Sequence, residues 1–174
     1  PNNFELKRLR LSFEKSKERK KQGLFVIEGL REIEKAVLGG YKIKTIFLQE
    51  GCESSFSEIL KKINTELIFC VEKSVFDRIS MRSGSEKIIA IANTKIHTLE
   101  LLNHSNNGIV LVVEAPEKPG NIGALYRTAA AAKINSIIIA NPKTDFYNPN
   151  SIRSSLGSIF LVPTAIAPSF KVIT

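Results

Sequence analysis

Apolar residues occur along this chain in short blocks separated by amphipathic stretches. Leu24-Phe25-Val26-Ile27, Thr45-Ile46-Phe47-Leu48, Leu67-Ile68-Phe69-Cys70-Val71 and Ile88-Ile89-Ala90-Ile91-Ala92 have the length and the β-branched or aromatic content of strands. The pattern between them predicts helices near residues 29–38, 55–63 and 73–80. The first half of the chain therefore reads as a small α/β domain. Asn93 to Gly108 has the Asn, Ser and Gly content of a connection, with Leu99, Leu101 and Leu102 marking a short helix inside it. The expected organisation is a domain over 1–95, a linker over 96–107 and a second α/β domain over 108–174. The second domain opens on Ile109-Val110-Leu111-Val112-Val113, a run apolar enough to predict a parallel strand covered on both faces.

At 174 residues and 43% hydrophobic, the chain is long enough to bury a core in one domain or two small ones. No stretch approaches the roughly 18–20 apolar residues of a membrane span. The first residues are charged where a signal peptide needs an apolar segment, so a cytoplasmic location is expected. Cys52 and Cys70 are far apart with no CxxC spacing, and His97 and His104 are the chain's two histidines. That set predicts no four-ligand zinc site and no other metal, and two reduced, largely buried cysteines.

Charge changes the picture because of its position. Residues 1–21 hold eight of the Lys and Arg side chains against three Glu, a surplus of five out of the chain's +8. A basic helix at the start of the chain is either a plain solvated face or a phosphate-binding surface for a polyanion. On the second reading, Arg8, Arg10, Lys15, Arg19 and Lys20 contact the polyanion's phosphates, joined by Arg82 and Lys87 from the Gly- and Ser-containing loop 81–87. Aromatic stacking is expected to be secondary, since the chain has no Trp and most Phe residues lie in strand-like runs.

Candidate chemistry follows the first strand of the second domain. Glu114-Ala115-Pro116-Glu117-Lys118-Pro119-Gly120-Asn121-Ile122-Gly123 leads into Ala124-Leu125-Tyr126-Arg127-Thr128, a strand, loop and helix. Gly120 and Gly123 allow a tight turn and close backbone approach, and a helix N-terminus favours an anion. A helix beginning near Ile122 would place Arg127 about one and a half turns in. Ligands of open α/β sheets sit at this end of the strands, but the spacing is neither GxGxxG nor GK[ST].

Pro119-Gly120-Asn121-Ile122-Gly123 with Arg127-Thr128-Ala129 resembles the first signature of the SpoU (TrmH-like) RNA 2'-O-methyltransferases of the SPOUT superfamily. Phe146-Tyr147-Asn148-Pro149-Asn150, then Arg153-Ser154-Ser155-Leu156-Gly157 and Val162-Pro163, is similar to that family's next stretch. Phe25-Val26-Ile27-Glu28-Gly29 after a basic helix resembles the substrate-binding domain of the family's ribosomal RNA members.

The resemblance implies methyl transfer from S-adenosylmethionine to a ribose 2'-hydroxyl, most readily in ribosomal RNA, by a homodimer whose catalytic domain ends in a trefoil knot. It assigns active-site roles to Asn121 and Arg127, contact with RNA phosphate or the neighbouring subunit to Arg153, and to Ser155 either RNA contact or a capping role alone. The family's cofactor residues lie in segments beyond Thr174, so the chain is expected to be part of a longer protein. Lys133 stands where the family commonly has Gly, which is expected to alter the helix end. A transfer RNA methyltransferase, a non-catalytic RNA-binding protein of the same fold and a small-molecule enzyme with a nucleotide at the Gly120 loop remain as alternatives.

Overall fold

A computed structural model describes residues 3–65, 67–81, 86–102 and 108–173. Backbone proximity divides the chain into two compact units, Pro1–Thr94 and Lys95–Thr174.

The first unit begins with two helices, α1 (Asn3–Glu14) and α2 (Ser16–Gln22). It continues through β1 (Leu24–Glu28), α3 (Leu30–Leu38), β2 (Ile43–Gln49), α4 (Ser57–Lys62), β3 (Ile68–Val71), α5 (Lys73–Ile79) and β4 (Ile88–Asn93). The sheet order is β1-β4-β2-β3, with β4 antiparallel to both neighbours and β2 parallel to β3. Residues opposite one another share a face, which places Leu24, Val26, Phe47, Val71, Ile89 and Ile91 on one side of the sheet. Leu9 and Phe76 pack against them from α1 and α5, with Leu6 and Phe13 alongside at helical spacing. On the alternate positions Phe25, Ile27, Ile46, Leu48 and Ile88 are also buried. Both faces of the central strands are therefore covered.

Cys70 departs from the sequence expectation of a buried thiol. It is exposed, on the edge strand β3, next to Ile68 at 40% exposure two residues earlier on the same face. Both cysteines are free.

The second unit takes in part of the stretch expected as a connection. Lys95–Leu102 leads into β5 (Val110–Glu114), α6 (Pro119–Ala131), β6 (Ser136–Ala140), α7 (Pro149–Ser154), β7 (Thr164–Ala167) and α8 (Phe170–Ile173). The three strands are parallel in the order β5-β6-β7. Leu102 packs with Ile138 and Ala165. His97 is fixed at both ring nitrogens and at its carbonyl, which accepts from Ile166 N at 2.8 Å.

Within the described residues β5 is less covered than expected. It is an edge strand paired with β6 alone among the described residues, with Val112 50% and neighbouring Ile109 62% exposed. Among the described residues of this unit, β6 has a neighbour on each side and is buried along its length.

Candidate functional site

Helix α6 begins at Pro119, not near Ile122. Proline suits the first helical position, where its missing N–H would have had no partner and its fixed φ fits the helix. Gly120 and Asn121 therefore lie in the first turn, and Arg127 stands just over two turns in. Ile122, Tyr126 and Ala129 face inward. Tyr126 is 1% exposed and its hydroxyl bonds Thr164 Oγ1 at 2.7 Å, which fixes the rotation of the helix over the sheet. That rotation leaves Gly120, Asn121, Ala124, Arg127 and Thr128 on the exposed side.

The two glycines of the motif differ in their surroundings. A Cβ at Gly120 would meet nothing within 4 Å. A Cβ at Gly123 would lie 2.5 Å from Ser151 O and 2.6 Å from Ser155 N, and would overlap Ser154 Oγ. Gly123 is the point at which α7 seats against α6, while Gly120 borders free space.

Helix α7 has its own start signal. Asn148 accepts from Asn150 N at 2.9 Å as the N-cap, and Pro149 follows. Gly157 takes φ 79° after it. Ser155, expected to touch RNA, is instead fully buried; its hydroxyl donates to Ile152 O at 2.6 Å and accepts from Gly157 N at 3.1 Å. Both contacts close the turn after α7. Arg153 projects into solvent.

A polar cluster that the sequence reading did not single out lies where the three parallel strands end. Glu114 accepts from Asn141 Nδ2 at 2.9 Å and from Ser169 Oγ at 2.6 Å, and Asn141 and Ser169 also bond each other. These bonds, Ser169 first and Asn141 next, hold the exposed Glu114 carboxyl below its ordinary pKa. Ala115 and Asn141 both take φ 46°, and their amides extend the sheet ladder to Ala140 O and Ala167 O. The sequence signal for this cluster is a charged residue ending an otherwise apolar strand.

In the first unit, Arg19 is corrected from RNA contact to structural cap. It is 3% exposed, and its guanidinium donates to Ser12 O at 2.9 Å and Phe13 O at 3.0 Å, in the last turn of α1, where carbonyls lack helical partners. Arg8 pairs with Glu5, and Arg10 with Glu14, each at 2.8 Å. Lys7, Lys15, Lys17, Lys20 and Lys21 are exposed. In the loop at 81–87, Arg82 lies outside the described residues and Lys87 is exposed with φ 58°. The loop's flanks are tied to carboxylates: Met81 N donates to Glu28 at 3.2 Å, and Glu86 accepts from Leu30 N at 2.6 Å at the start of α3.

Comparison with known proteins assigns both units. Residues 3–90 match the MRM3-like substrate binding domain, and residues 108–173 match the SpoU rRNA Methylase family. Half of the chain thus belongs to the family of the MRM3-like substrate binding domain, and the second unit matches the SpoU methylase family.

It is 28% identical over 153 residues to the 23S rRNA (uridine(2479)-2'-O)-methyltransferase of Streptomyces viridochromogenes, covering 87% of this chain and 53% of that protein. To the 23S rRNA (guanosine(2553)-2'-O)-methyltransferase RlmP of Bacillus subtilis (strain 168) it is 26% identical over 148 residues, covering 84% and 56%. The crystal structure of an AdoMet-bound rRNA methyltransferase from Sinorhizobium meliloti superposes with a TM-score of 0.87 at 25% identity, over 98% of this chain and 64% of that one. The chain thus spans somewhat over half the length of the curated relatives it matches. Among the described residues, no helix is long and apolar enough to cross a membrane, and no group of three or more His, Cys, Asp or Glu could hold a metal ion.

Proposed function

We propose that the protein to which this chain belongs methylates a ribose 2'-hydroxyl of ribosomal RNA, with S-adenosylmethionine as donor. The observation that carries the reading is the exposed Asn121 and Arg127 on a helix that starts beside the carboxyl end of a parallel strand, with free space over Gly120, in the unit that matches the SpoU family. The relatives named 23S rRNA 2'-O-methyltransferases and the basic first unit support RNA as the substrate.

Asn121 and Arg127 stand about 120° apart around the helix axis and about 9 Å apart along it. They therefore address different groups of one nucleotide unless the long Arg side chain folds back toward the N-terminus, the direction helical side chains lean. Arg127 has no carboxylate partner among the described residues, and a guanidinium stays protonated, so it anchors a phosphate or steadies negative charge on the reacting oxygen. Asn121 offers both a donor and an acceptor to orient the ribose. Arg10, Lys15, Lys20, Lys87 and Arg153 are the proposed phosphate contacts; Arg8, Arg19 and Ser155 are left out because their polar groups are already committed. No side chain of the described residues is assigned to the donor; Glu114, Asn141 and Ser169 at the strand ends bond one another. The same reading carries a homodimer, a trefoil-knotted catalytic domain and a cytoplasmic location.

The test is methyl transfer from labelled S-adenosylmethionine by the full-length gene product, with unmodified ribosomal and transfer RNA offered side by side. Label on ribosomal RNA ribose, falling about 100-fold or more in Arg127→Ala, is the expected result. Label on transfer RNA alone would change the substrate, and RNA binding without any label would leave a non-catalytic binding protein.

A further inference from the structure

The outer face of α1 carries an aromatic ring that phosphate contact does not account for. Phe4 is 59% exposed, and no other described Phe or Tyr side chain is exposed to that degree. Leu6, Leu9 and Phe13 pack the inner face of the same helix into the core. Phe4 stands about 140° around the axis from Leu9, so no rotation of α1 buries both. The ring is nevertheless held. The Arg8 guanidinium lies 4.8 Å from its centroid, and Glu5 fixes that guanidinium at 2.8 Å. Lys7, one turn along on the same face, is exposed.

A flat apolar ring, backed by a planar cation and flanked by a free ammonium on a strongly basic helix pair, matches the chemistry of an unpaired nucleotide. Its base offers a π-face and its phosphate a charge. We propose that Phe4 is a stacking platform for an unpaired nucleobase of bound RNA, with Arg8 bracing the ring and Lys7 meeting the adjoining phosphate. This rests on the reading of the first unit as RNA-binding and adds a preference for single-stranded over duplex segments. Stacking of this kind tolerates any base, since every base has a π-face.

These 174 residues contain no Trp, so Phe4→Trp adds a fluorescent reporter at the platform, read as the difference from the unsubstituted full-length protein. The full-length protein carrying it is titrated with a single-stranded oligouridine and with an RNA duplex of equal length. Saturable quenching by the single strand and little by the duplex is expected. Phe4→Ala should weaken single-strand binding about tenfold, with an unchanged melting temperature and an unchanged slope of log affinity against log salt. Lys7→Ala should instead lower that slope. Equal quenching by both RNAs, wild-type affinity in Phe4→Ala, or a lower melting temperature in that variant would overturn the platform while leaving RNA binding intact. Absence of RNA binding by the wild-type protein at low salt would overturn both.

Discussion

Substituting the two motif glycines with alanine should move stability in opposite directions, although they are three residues apart on one helix. At Gly123 the added methyl meets a backbone oxygen and a backbone nitrogen of the α7 region at 2.5 and 2.6 Å. Neither can rotate away as a side-chain end would, so α7 must move. Overpacking of this kind costs about 1–3 kcal/mol, and rigid neighbours place Gly123→Ala near the upper end. Alanine recovers about 1 kcal/mol of helix propensity. The net loss is about 2 kcal/mol, or a fall of about 4–8 °C in melting temperature for a chain of this size. At Gly120 nothing lies within 4 Å, so Gly120→Ala should keep the backbone-entropy gain and stabilise by about 0.5 kcal/mol. Calorimetry on both variants measures the difference, and amide exchange along β6 and α6 assigns it to the second unit. If Gly123→Ala proved as stable as Gly120→Ala, the close seating of α7 on α6 would be wrong.

Lys133 follows α6 in a left-handed conformation at φ 54°, where a side chain is disfavoured. Lys133→Gly should raise stability by about 0.5–1 kcal/mol, read from denaturant midpoints; a loss would refute the strain argument. Arg19→Met should cost about 2 kcal/mol by leaving Ser12 O and Phe13 O without their donor, with RNA affinity changed little; a large affinity loss in a stable variant would restore Arg19 as an RNA contact. Burial holds the His97 imidazole below its ordinary pKa of 6.5, against the Thr164 carbonyl, which favours the proton. The unfolded chain then takes up its proton at higher pH than the folded one, so His97 lowers stability as pH falls below about 6.5, until the folded ring titrates too. Proton NMR of the two histidines checks this, and a His97 resonance titrating at or above 6.5 would refute it.

The strand runs of the first unit were legible because each is a short, dense apolar block, and the structure places β1, β2, β3 and β4 on them. The start of α6 was misplaced because Pro119 and Gly120 read as loop residues, although Pro at the first helical position is a start signal. The exposure of β5 was not legible from its own residues. An apolar run reports what a strand can bury, not how many neighbours it has, and among the described residues β5 has one. Cys70 was misjudged for the same reason, since alternate positions on an edge strand can face water. The proposed roles of Asn121 and Arg127 rest on motif spacing and resemblance, whereas the Glu114, Asn141 and Ser169 cluster joins residues from three strand ends that no local pattern connects.

Composition also misplaces the electrostatic grip. Counting charge over residues 1–21 treats eight cations as equivalent, but Arg19 is buried in a cap and Arg8 and Arg10 have carboxylate partners on α1 itself. An exposed pair such as Arg10 with Glu14 is weak and can exchange its partner for a phosphate. Arg8 is different: its side chain is 20% exposed, and it is held by both Glu5 and the Phe4 ring. The cations free to neutralise phosphate are mainly lysines, and four of the five, Lys15, Lys17, Lys20 and Lys21, lie on or beside α2. Single-stranded RNA binding loses about 0.7 in the logarithm of affinity per decade of salt for each phosphate neutralised. Charge reversal along α2 should therefore flatten the salt dependence more than reversal of Arg8 and Arg10, which mainly breaks contacts within α1. An equal effect of both replacements would mean that the α1 arginines leave their carboxylates on binding, and that the free chain does not display the surface RNA meets.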